Sequence, residues 1–139
     1  MWSNRLRTVL RLNAALSVSG GLIAAVAAGW VSDTLGVDQV LLTRIIGIGL
    51  VVFAADVAFV ASRPEPKLLS ETRLVSAADA LWVVATVVVL VAQILTVAGV
   101  VVAVVLGLAV ADFALTQLWM RSKALAEPAG ASGDVALIG

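Results

Sequence analysis

Between Leu74 and Met120 the chain carries only two formal charges, Asp79 and Asp112. As one α-helix that stretch would be roughly 70 Å long at about 1.5 Å per residue. The hydrocarbon core of a bilayer is only ~30 Å thick. A run this long and apolar therefore has to fold back on itself inside lipid, and the turn falls at QILT, Gln93 to Thr96, with Gly99 just beyond. Two further apolar stretches, Leu12 to Val31 and Leu41 to Ala61, each approach the ~20 residues that a spanning helix needs. Composition agrees: 62% of the 139 residues are hydrophobic and 13% are charged, against about 25% charged in ordinary globular chains.

The expected fold class is an all-α membrane protein, a four-helix transmembrane bundle. Helices are predicted at about 9–31, 39–62, 71–93 and 97–120, in a single domain over 1–123. The tail at 124–139, ALAEPAGASGDVALIG, is rich in Ala and Gly and reads as disordered. The first stretch has the basic start of a secretory signal, but its apolar part exceeds the roughly 7 to 15 residues of one, so it reads as a spanning helix. Asp38 is placed to cap the second helix, and Ser70 with Glu71 the third. Pro64 and Pro66 close the second helix and stiffen the loop after it.

Orientation follows the basic residues. Arg5, Arg7 and Arg11 precede the first helix, Arg63, Lys67 and Arg73 flank the loop SRPEPKLLSETR, and Arg121 with Lys123 follow the fourth. All fall on one side, so both termini are expected in the cytoplasm. The other side has Asp33, Asp38 and a single Arg44, which can snorkel outward. Trp30 and Trp119 fall at interfaces, whereas Trp82 lies deeper.

Absences narrow the chemistry. With no Cys and no His, thiol catalysis, haem with those ligands and a typical zinc site are excluded. There is no phosphate-binding Gly-rich loop and no nucleophile beside a base, so no enzyme, cofactor or metal is expected. Nine basic residues balance nine acidic ones without a basic face, which argues against nucleic acid.

Small residues recur every four positions in two helices: Asn13, Ser17, Gly21, Ala25 and Gly29 in the first, Gly99, Ala103, Gly107 and Ala111 in the fourth. Such stripes let backbones approach closely in lipid, where there is little hydrophobic force between helices. A shorter set, Gly47, Ala54 and Ala58, marks the second helix. ADVAF at 55–59 also echoes ADFAL at 111–115, and Arg-Leu opens the first and third helices. The echo fits a parallel duplication of a two-helix hairpin.

Depth is the other regularity. Asp56, Asp79 and Asp112 each lie about two turns from a basic residue, roughly 9 to 14 Å inside the rim. Asn13, Ser17 and Gln117 fall in the same layer. Acids in lipid cost at least ~2.5 kcal/mol each, so a common layer demands a reason. In one reading the aspartates face inward as hydrogen-bonded glue, with Asn13, Ser17, Ser76 and Thr116 as partners and Arg11 or Arg63 reaching in. In the other they line a cavity that binds a proton, a cation or a cationic solute, which makes the chain a small coupled transporter or channel subunit. The apolar outer halves of the helices offer no matching sites, so the first reading leads.

Small four-helix drug exporters carry a mid-membrane glutamate in their first helix, and LNAALSVSGGLIAAVAAG has none. The layout resembles that of small bacterial integral membrane proteins. The expectation is a non-enzymatic, multi-pass component of a bacterial inner membrane that associates through its small-residue faces. Its partners would be the lipid bilayer and a second copy, as a homo-oligomer (dimer), or another membrane protein.

Overall fold

A computed structural model describes residues 1–128. Five helices follow one another: α1 (Trp2–Val26), α2 (Ala28–Leu35), α3 (Val40–Ser62), α4 (Glu65–Val91) and α5 (Val97–Ala126). All but α2 are long and apolar enough to cross a membrane. The chain is thus an all-helical, multi-pass membrane protein, and α1, α3, α4 and α5 form its four-helix bundle.

The first predicted helix is in fact two. α1 begins at Trp2 rather than near residue 9, because no breaker interrupts its Arg-rich first turns and Arg7 donates to the carbonyls of Ala61 (2.6 Å) and Arg63 (2.7 Å). A cation there complements the negative end of α3. α1 then breaks at Ala27, whose φ is −104° and ψ 36°. The Ala27 N–H still bonds Ile23 O, and the Val31 N–H bonds Ala27 O, so the break is a kink and not a loop. α2 ends at Gly36 in the left-handed region, φ +79°, where Gly36 and Val37 both donate to Ser32 O. Glycine suits that site at no steric cost.

Three further expectations change. Asp38 does not cap α3: the helix starts at Val40, its N-cap is Gln39, and no side chain caps it. α4 starts at Glu65, a turn and a half before 71, because proline is tolerated in a first turn, where its missing N–H would have no partner. Ser70 and Glu71 consequently lie inside the helix, Ser70 Oγ bonding Lys67 O and Glu71 pairing with Arg63 at 3.4 Å. Pro64 is the α4 N-cap and Pro66 belongs to its first turn, so only the two residues Arg63 and Pro64 separate α3 from α4. Finally, α5 continues through Lys123 to Ala126, so 124–126 are helical and not part of a disordered tail. Ala124 is buried in the core, and the Met1 ammonium lies 3.7 Å from Glu127. Residues 129–139 of that tail lie outside the described residues.

α1 packs chiefly on α3, and α5 on α4. α1 also packs against α5, while α3 and α4 touch little. The core of Leu6, Leu10, Ala14, Val57, Val60, Ala61, Leu68, Leu69, Val75 and Ala124 sits toward the basic end of the bundle. Away from that end the outward valines, Val84, Val88, Val101 and Val105 among them, are exposed as lipid-facing residues should be.

Small residues close the helix seams. A Cβ on Gly21 would stand 2.7 Å from Gly47 O, and one on Gly47 would stand 2.5 Å from Ala25 N. A Cβ on Gly99 would stand 2.6 Å from Leu35 O, and one on Gly107 would stand 3.2 Å from Thr86 Cγ2. Gly29 is the exception: nothing lies within 4 Å of its Cβ position. It is not part of the seam, because past the break at Ala27 the buried face of α2 is formed by Ala28 and Ser32, and Gly29 falls beside it. Ala103 and Ala111 are half-buried flanking positions. The stripes therefore join helices within one chain.

Candidate functional site

Four side chains from three helices meet where α1, α4 and α5 converge. Asp79 (3% exposed) and Ser76 (2%) stand one turn apart on α4, Asn13 (1%) on α1 and Gln117 (0%) on α5. Asp79 Oδ2 accepts from Asn13 Nδ2 at 2.8 Å and from Gln117 Nε2 at 3.3 Å. Ser76 Oγ donates to Gln117 Oε1 at 3.1 Å, and half-buried Ser17 donates to Asn13 Oδ1 at 3.3 Å. Both amides are used at both ends. Because an amide both donates and accepts, the two of them relay hydrogen bonds from hydroxyls to the one carboxylate oxygen. Buried networks of this kind hold a fold when every member is satisfied.

The second carboxylate oxygen, Oδ1, accepts no hydrogen bond among the described residues. Asp79 borders a partly open cleft of about 300 Å³, walled by Ser17, Ile46, Gly49, Leu50, Phe53, Ala78, Trp82 and Val110. The cleft exists because α3 and α4 separate beyond their short connection. Its chemistry is one carboxylate and one hydroxyl among apolar and aromatic walls.

The polar layer of the sequence is thus brought together only in part. Asn13, Ser17, Asp79 and Gln117 meet. Asp56 and Asp112 do not: both are exposed on the outside of the bundle, with no hydrogen bond or ion pair among the described residues. Asp112 belongs to an outward row with Val101, Val105, Leu108, Leu115 and Trp119. Thr116 is half-buried and makes no contact with Asp79 through a hydrogen bond, and Arg63 turns to Glu71 and the Phe59 ring instead.

Sequence reasoning missed a second polar junction at the far end. Ser32 Oγ and Thr43 Oγ1 are buried 2.7 Å apart, tying α2 to α3. Thr96 caps α5 by accepting from the Gly99 N–H at 3.0 Å, and donates to Thr34 O at 2.5 Å. The signal was hydroxyl residues on both sides of a glycine-containing turn, which look like ordinary loop composition. Trp82 and Phe53 also went unmarked as cleft walls, since apolar residues in apolar helices carry no sign of their facing.

No protein-family model, curated protein or solved structure matches the chain.

Proposed function

We propose that the chain is a non-enzymatic membrane component of the bacterial inner membrane, with both termini cytoplasmic, that acts through association in the bilayer as a homo-oligomer or with another membrane protein. The observation that carries this reading is the Asn13–Asp79–Gln117 node. Among the described residues it takes the one inward-facing carboxylate and binds it to two other helices, while Asp56 and Asp112 turn outward, so no chain of acids runs through the described bundle. Because the small-residue seams lie inside the chain, association falls to the outer faces. The test is reconstitution into liposomes with measurement of oligomeric state and of proton and cation flux. Association without flux is the expected result, and flux above that of empty liposomes would overturn it.

A second reading, a small proton- or cation-coupled transporter or channel subunit, is favoured by one feature, the unbonded Oδ1 of Asp79 beside the cleft. Asp79→Asn keeps size and hydrogen-bonding capacity but removes ionisation. If wild type alone shows a cation-dependent change in thermal stability, or proton or cation flux in liposomes, the second reading stands. If both proteins respond alike, it fails.

A further inference from the structure

Two opposite charges on the outside of the bundle have no counterpart among the described residues. Arg11 on α1 and Asp56 on α3 are both exposed, and neither makes a hydrogen bond or ion pair among the described residues. They also lie at one depth. The antiparallel register of α1 and α3 is set at three points: Arg7 reaches Ala61 O, Gly21 abuts Gly47, and Arg44 Nε donates to Ala25 O. Counting from the first two sets Asp56 opposite Leu12, which leaves Arg11 and Asp56 within about 1.5 Å of the same level.

Their flanks differ in a useful way. Arg11 is one turn from Arg7, which crosses to the end of α3, so it stands beside α3 on the α1 side. Asp56 is two turns from Gly49 and nearly one from Phe53, both walls of the cleft toward α4, so it stands on the other flank of α3. A two-fold axis along the membrane normal keeps every residue at its depth and brings one flank of a copy against the opposite flank of the other. Depth-matched opposite charges on opposite flanks are what such an axis can pair. The outer groove between α1 and α3 presents Ala15, Ser19, Ala55 and Ala58, all exposed and small, which lets a further helix approach closely.

We infer that two copies of this chain form an isologous dimer with α3 at its centre, in which Asp56 of each copy pairs with Arg11 of the partner subunit. This rests on the homo-oligomeric reading above and supplies its surface. Each charge, unpaired in lipid as a monomer, gains a partner twice over in the dimer, and the penalty for an unpaired charge in the membrane drives the pairing.

The experiment measures dimerisation of labelled full-length protein in liposomes by energy transfer at increasing lipid dilution. Arg11→Gln and Asp56→Asn should each raise the dimer dissociation constant at least about tenfold, because removing one partner strands the other charge. The reversals Arg11→Asp and Asp56→Arg should each weaken it further, and the double reversal should restore association. The chain has no Cys, so Ala15→Cys mixed with Val52→Cys, one turn from Arg11 and Asp56 respectively, should yield a cross-linked heterodimer with a short bifunctional maleimide, whereas Ala15→Cys alone should not. A wild type that stays monomeric overturns both the homo-oligomeric reading and this interface. A wild type that dimerises while the neutral variants bind equally well, and without the cross-link, overturns the interface alone.

Discussion

Replacing Asp79 by Leu should destabilise the bundle, and the structure sets the scale. The carboxylate accepts hydrogen bonds from two other helices, through Asn13 and Gln117. Interhelical hydrogen bonds in membrane proteins average about 0.6 kcal/mol and reach about 1.7, so two of them amount to roughly 1 to 3 kcal/mol. Leucine also leaves two buried amide donors without an acceptor, which moves the expected loss toward the upper end. Asp79→Asn keeps an acceptor oxygen at the site and should lose less than Leu does. The assay is equilibrium unfolding in mixed detergent micelles, followed by circular dichroism, with Asp112→Leu as the control. Asp112 makes no hydrogen bond in the bundle and faces outward, so its replacement should be neutral or stabilising. Equal losses for Asp79→Leu and Asp112→Leu would refute the assignment of one acid to the interior and the other to the lipid face.

Three other outcomes follow from the packing. Gly21→Leu or Gly47→Leu should cost at least about 1 to 3 kcal/mol of unfolding free energy, since a side chain there meets the facing backbone, whereas Gly29→Leu should leave unfolding nearly unchanged. Gly36→Ala should destabilise by about 1 to 2 kcal/mol in the same assay, because φ is positive and the new methyl meets Thr96. Reporters fused at Gly139 and inserted at Pro64, between α3 and α4, should read cytoplasmic and one near Gly36 external; an external reading at Gly139 would contradict the positive-inside orientation.

The span count was legible because it depends only on hydropathy and length, quantities summed along the chain. Depth was legible for the same reason: counting residues from the basic rim put Asn13, Asp79 and Gln117 in one layer, and they do meet. Facing was not legible. In a water-soluble helix the polar face marks solvent, but a helix apolar all round carries no such mark, so nothing distinguished Asp79, which turns inward, from Asp56 and Asp112, which turn out. The four-residue stripes told where backbones approach, at Gly21 with Gly47, yet overran at Gly29 because the kink at Ala27 leaves no trace in AVAAGW. The start of α4 was written in Pro64-Glu65-Pro66, but SETR offered a competing cap signal a turn and a half later. The Ser32–Thr43 junction depends on the face that α2 presents to α3 after that kink, so it could not be foreseen without the kink.

The node at Asp79 is the centre of this account, and a double-mutant cycle between Asn13 and Asp79 tests it most directly. Unfolding free energies would be measured for wild type, Asn13→Ala, Asp79→Ala and the double variant under one detergent condition. The hydrogen bond of 2.8 Å between them predicts a coupling of about 0.6 to 1.7 kcal/mol, with the double variant losing less than the sum of the single losses. Additive losses would contradict it, and would mean that α1 and α4 are held together by packing alone.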